Sequence, residues 1–106
     1  VPHPNRILSV IGTRPEAIKM APVVHALREA GWATPRVLVT GQHRDLVAPQ
    51  LRFFGVDVDR DLEIARPGQG LNGLAAALLS GLDEALRDER PDLVLAQGDT
   101  TTVMAR

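Results

Sequence analysis

A chain of 106 residues with 44% hydrophobic and 24% charged content suffices for one globular unit with a modest core. A formal net charge of −1 excludes the basic footprint of a nucleic-acid or anionic-membrane binder, and three aromatics (Trp32, Phe53, Phe54) are too few for a base-stacking platform. The absence of cysteine excludes disulfides and thiolate metal sites, and no apolar run approaches the roughly 18 residues of a membrane span. With no signal-peptide pattern either, cytoplasm is the expected compartment, without a nucleic-acid or membrane partner. The start at Val1 and the stop at Arg106, with no closing element, lead to the expectation of a piece of a longer protein.

Residues 1–6, "VPHPNR", are polar, contain two prolines and read as a loose lead-in. "ILSVI" (7–11) is a short, β-branched apolar run ending at Gly12, as a buried parallel strand requires. A helix follows, with Ile18, Ala21, Val24 and Leu27 at helical spacing, Gly31 as its stop and Pro22 as an internal breaker expected to kink it. "RVLVTG" (36–41) is a second strand, and 44–55 a second helix interrupted by Pro49. "VDRDLEIA" holds at most a short third strand. After the turn "PGQG" (67–70), Leu71, Leu74, Leu78, Leu82 and Leu86 mark a long amphipathic helix to about Glu89, its leucine stripe read as core. "LVLAQ" (93–97) is a further buried strand, and "GDTTTVMAR" begins another turn and helix.

Strand and helix alternate throughout, the pattern of a parallel sheet with helical crossovers and helices on both faces. Right-handed crossovers favour strand order 3-2-1-4. In that order the sequence direction reverses between the first and fourth strands, and ligands of such sheets bind beyond the carboxyl ends at that point. The two turns leaving those strands are "GTRPE" (12–16) and "GDTTT" (98–102), so both should face one crevice.

In the first turn Gly12 permits close backbone approach, Thr13 and Glu16 have capping-box spacing, and Pro15 suits a first helical turn. Arg14 and Lys19 do nothing for the helix, because cations at its start oppose the dipole. An anionic ligand reverses that sign: free N–H groups, a guanidinium and an ammonium make a phosphate or diphosphate site. The competing reading is a capped helix with two solvated cations. Neither G-x-G-x-x-G nor G-x-x-x-x-G-K-[ST] occurs, which argues against a dinucleotide cofactor or a hydrolytic P-loop. In the second turn Asp99 is either a helix N-cap or a carboxylate facing substrate as acid or base, and Thr100 to Thr102 supply further caps or contacts. Gln42 and His43 follow the second strand at the same edge, and Gln69 precedes the third helix; each is a polar contact or simply solvated. His3 and His25 read as incidental, without metal-ligand spacing.

"GTRPEAIKMAPVVHAL", "GQHR", "PGQGL" and "PDLVLAQGDTTT" together closely resemble the non-hydrolysing UDP-N-acetylglucosamine 2-epimerases of bacteria. The resemblance implies that residues 1–106 are part of an N-terminal Rossmann-like domain in a two-domain, glycosyltransferase-B-like fold whose second domain lies outside this chain. It implies interconversion of UDP-N-acetylglucosamine and UDP-N-acetylmannosamine by elimination and re-addition of UDP through 2-acetamidoglucal, for surface polysaccharide biosynthesis. Such an enzyme is a homodimer at full length, with a UDP-sugar as its partner and no metal or nicotinamide cofactor. Residue by residue, Arg14 and Lys19 match substrate-binding positions, and Asp99 a catalytic aspartate. Gln42, His43 and Gln69 match contacts with substrate or with an adjoining regulatory site. Asp45 and Gly68 stand where some members carry glutamine and arginine, which puts regulation by substrate in doubt. The other catalytic groups lie downstream, so 106 residues alone should be inactive. A glycosyltransferase-type enzyme on the same fold and a truncated, non-catalytic nucleotide-sugar-binding module are the competing assignments.

Overall fold

A computed structural model describes residues 5–41, 44–64 and 68–96. Its elements run β1 (Asn5–Ile11), α1 (Arg14–Ala30), β2 (Ala33–Val39), α2 (Arg44–Phe53), β3 (Arg60–Asp61), α3 (Leu71–Glu89) and β4 (Leu93–Leu95). All pairings are parallel and the sheet order is β3-β2-β1-β4, as the alternation predicts. Because side chains alternate along each strand, β1 and β2 send Ile11, Val37 and Val39 into one core with Ala17, Met20, Ala21 and Val24 of α1 and Val47 and Leu51 of α2. Leu8, Val10 and Leu38 point the other way, onto Leu78, Leu82 and Ala85 of α3, with Ile64. Three layers result, with α1 and α2 on one face and α3 on the other.

Two strands start earlier than their hydrophobic runs suggest. β1 takes in Asn5 and Arg6, so the lead-in expected over 1–6 is shorter. Asn5 donates its N–H to the Trp32 carbonyl at 3.0 Å, and the Arg6 N–H is accepted by Asp92 Oδ2 at 2.7 Å. β2 begins at Ala33 rather than 36 and runs through Pro35, which pairs with Ile7. β3 reaches only Leu38 and Val39, so at Pro35 that side of β2 is an edge, where a missing N–H is tolerated.

Two aspartates, each just ahead of a strand, set the register. Asp59 donates its N–H to the Val37 carbonyl at 2.9 Å while its Oδ2 accepts the Val37 N–H at 2.7 Å. Asp92 makes the same pair of bonds to Arg6, 2.8 Å and 2.7 Å, at the entry to β4.

α1 continues through Pro22 as one helix of 17 residues, closed by Gly31 at φ 78. The leucine stripe of α3 is core only in its middle. Leu78 and Leu82 are buried and Leu74 partly so, but Leu71 is 72% exposed and Leu86 38%. A helix of 19 residues is about 28 Å long whereas β1 covers about 23 Å, so α3 overhangs the sheet. Val10, Leu82, Leu86 and Val94 line an apolar concavity of about 240 Å³ between α3 and β4. No helix among the described residues is long and apolar enough to cross a membrane.

Candidate functional site

The three helices of the described residues begin at the carboxyl edge of the sheet, because each crossover leaves a strand there. β1 and β4 are neighbours, with Ser9 beside Leu95, so the end of β4 lies beside the strand that leads into the Gly12 turn. The strand order behind the expected crevice is present, and its second turn, residues 98–102, lies outside the described residues.

The turn from β1 into α1 is built around a buried carboxylate. Thr13 is the N-cap at φ −131, ψ 165, and its carbonyl accepts the Ala17 N–H at 3.0 Å, yet its side chain makes no capping bond. Glu16, 4% exposed, accepts the Gly12 N–H on Oε1 at 2.8 Å. The capping box expected from Thr13 and Glu16 is therefore not formed: the Glu16 carboxylate reaches one residue further back, to Gly12. Gly12 presents a buried donor beyond the end of β1, and an unmet buried donor costs about 1–3 kcal/mol. The Glu16 carboxylate meets that need and also lies at the positive end of the helix dipole. Gly12 contributes this N–H and not a left-handed φ; among the described residues the glycines with positive φ are Gly31, Gly41, Gly55 and Gly68.

With the Gly12 donor taken, the groups of α1 with charge to offer an anion near this edge are the side chains of Arg14, its first residue, and Lys19. Both are exposed, and neither has a hydrogen-bond or ion-pair partner among the described residues. Five positions apart on a helix, they stand about 140° apart around the axis and about 7.5 Å apart along it. They reach a shared ligand only through their long side chains, one from the end of the helix and one from its flank.

Asp99, Gln42 and His43 lie outside the described residues, as do Thr100 to Thr102. Gln69 is half-buried, and a Cβ at Gly73 would meet its Cγ at 3.2 Å, so its stem rests on the first turn of α3. His25, read as incidental, fastens α1 to the end of α2: its Nε2 is 2.6 Å from the Phe54 carbonyl.

Among the described residues a dense charge cluster lies toward the opposite, amino edge. Glu89 at the end of α3 is 7% exposed and faces Arg36 of β2, with Arg6 of β1 and Arg60 of β3 at 3.6 and 3.9 Å. Composition did not announce this cluster, because its members are spread over 84 residues and only the register aligns them. It closes the α3 side of the core away from the crevice.

A family model described as UDP-N-acetylglucosamine 2-epimerase matches residues 25–106. The chain is 49% identical over 100 residues to the UDP-N-acetylglucosamine 2-epimerase of Yersinia pestis and 48% to that of Escherichia coli K12, covering 94% of itself and 27% of each. It superposes on the crystal structure of the Neisseria meningitidis UDP-GlcNAc 2-epimerase bound to UDP-GlcNAc with a TM-score of 0.86 and 44% identity, over 94% of this chain and 27% of that one. The chain thus spans about a quarter of the length of the relatives it matches.

Proposed function

Because this chain belongs to the UDP-N-acetylglucosamine 2-epimerase family, we propose that it supplies the front of the N-terminal Rossmann-like domain of an enzyme that interconverts UDP-N-acetylglucosamine and UDP-N-acetylmannosamine. The longer protein has the family's two-domain, glycosyltransferase-B-like arrangement and works as a homodimer in the cytoplasm. The apolar concavity beside β4 supports a sheet that continues past this strand.

The observation that supports the reading is the adjacency of β1 and β4, together with the two exposed cations, Arg14 and Lys19, on the helix that follows β1. The C2 proton of the sugar has no adjacent carbonyl to acidify it, so direct deprotonation is difficult. Elimination of UDP to 2-acetamidoglucal and re-addition with C2 inverted avoids that carbanion. Negative charge grows on the departing diphosphate, and Arg14 and Lys19 stabilise it most where it is greatest. Asp99 serves as an acid or base on the sugar side. Gln42, His43 and Gln69 contact the substrate or an adjoining regulatory site.

The test is incubation of the full-length protein with UDP-N-acetylglucosamine, followed by NMR. UDP-N-acetylmannosamine should appear with traces of free UDP and 2-acetamidoglucal, and Asp99→Asn should slow its appearance at least a hundredfold. An unchanged sugar nucleotide, or consumption of a different one only, overturns the assignment.

A further inference from the structure

The carboxyl ends of β1, β2 and β3 are bonded to one another beyond the limits of the strands. The Thr40 N–H donates to the Ile11 carbonyl at 3.1 Å, and the Thr40 carbonyl accepts the Ile64 N–H at 3.1 Å. One step back, the Leu62 N–H donates to the Val39 carbonyl at 2.9 Å. A continuous rim therefore runs from the residue before Gly12, through the exit of β2, to the segment after β3. Thr40 is fully buried within it.

Residues 61–64 are held from both sides. Ile64 is buried in the α3-side core with Leu62 packed beside it, and a Cβ at Gly81 of α3 would lie 3.1 Å from Leu62 Cδ1. In alternation with these anchors, Asp61 and Glu63 meet Gly41. Asp61 Oδ1 accepts the Glu63 N–H at 2.9 Å, closing a tight turn in which Glu63 takes φ 53, a left-handed value that is costly for a residue with a side chain. The turn brings the Glu63 backbone over Gly41, where a Cβ would lie 2.6 Å from Glu63 Cα and 2.8 Å from Asp61 Oδ1. Gly41 itself has φ +82. Both its backbone angle and the space around it require glycine.

We propose that Asp61 and Gly41 are positioning residues: together they clasp the exits of β2 and β3 to the end of β1 and so fix, as one unit, the points from which the loops of the candidate site leave the sheet. The strain at Glu63 is sustained by the Asp61 carboxylate and is the means of bringing its backbone over Gly41. This inference rests on the reading of the carboxyl edge as the UDP-sugar site, and extends it to residues that touch no substrate.

Two measurements on the full-length protein test it, and one does not depend on activity. Amide hydrogen exchange of Asp61→Ala should quicken at least tenfold at residues 40–41 and 62–64 while β1 up to Val10 keeps its protection, and Asp61→Asn, which retains the Oδ1 acceptor, should restore the wild-type pattern. In turnover of UDP-N-acetylglucosamine, Asp61→Ala should raise KM at least fivefold, more than it lowers kcat, again with rescue by Asp61→Asn. Gly41→Ala should show both effects more strongly, and if it fails to fold the Asp61 pair still decides. Unaltered exchange in Asp61→Ala refutes the clasp. Faster exchange with unchanged KM refutes its positioning role. A wild-type enzyme inert toward the sugar nucleotide, with the exchange result intact, refutes the substrate reading and with it the positioning role, while the clasp stands.

Discussion

Glu89 grips Arg36 by two bonds, Nε to Oε1 at 2.8 Å and Nη2 to Oε2 at 3.2 Å, joining the end of α3 to the middle of β2. Arg36 also reaches Asp59 Oδ1 at 3.3 Å, and Arg60 reaches Asp88 Oδ2 at 3.0 Å. The cations lie at the negative end of the α3 dipole, which adds to the attraction. Because four elements meet at this cluster, its loss should loosen the packing of α3 on the sheet and leave the crevice chemistry alone.

Removing one partner of a fully buried pair costs about 3–5 kcal/mol because the other charge is stranded. Arg36 keeps 35% of its side chain exposed, so Glu89→Gln should cost less, about 1–3 kcal/mol. The Arg36 hydrogen bond holds the Glu89 carboxyl below its ordinary range against the opposing effect of burial, with the charges of Arg36, Arg6 and Arg60 adding to the depression. A carboxyl depressed in the folded state contributes stability that is complete above its unfolded value, near 4.5, and is lost as pH falls through the folded value. Denaturant midpoints should therefore drop between pH 5 and pH 3 in the wild type, with a flatter profile in Glu89→Gln.

The leucines of α3 separate by place, not by type. Leu78→Ala should cost about 2–5 kcal/mol, as a cavity between α3 and the sheet. Leu71→Ala, at a residue 72% exposed, should change stability by less than about 0.5 kcal/mol. Thermal or urea unfolding of the two variants checks the contrast. Helical periodicity alone makes the two equivalent. What distinguishes them is the length of the sheet beneath, a property of strands whose pairing no local pattern reports. For the same reason the alternation of strand and helix disclosed the topology, and Gly31 the end of α1. The polar residues Asn5 and Arg6 and the breaker Pro35 concealed the true starts of β1 and β2, since their places are decided by neighbours distant in sequence.

Glu16→Ala should destabilise the fold by about 1–3 kcal/mol, through the buried Gly12 donor it would leave unmet. Glu16→Gln keeps an acceptor and should lose less than half of that. The spacing of Thr13 and Glu16 made this carboxylate visible as a helix cap, but not its true partner, because a box is written for an isolated helix and Gly12 acquires its need from the end of a buried strand. Urea midpoints of the two variants measure the difference. Equal losses would show that the side chain matters through its charge and not through the bond to Gly12.

The cations of α1 invert this pattern. Arg14 and Lys19 are exposed and make no ion pair or hydrogen bond among the described residues, so Arg14→Ala and Lys19→Ala should leave the melting temperature of the full-length protein within a degree or two. Each should instead weaken UDP binding. A charge-assisted hydrogen bond contributes about 1.5–3 kcal/mol, equivalent to roughly a 10- to 150-fold change in affinity. Arg14→Lys should recover only part of that loss, since an ammonium cannot offer the paired donors of a guanidinium to a phosphate. The two cations share one ligand, so the loss in the double variant should differ from the sum of the single losses in free energy. Calorimetric titration with UDP decides the matter. Wild-type affinity in Arg14→Ala would return these cations to the role of solvated residues on a capped helix.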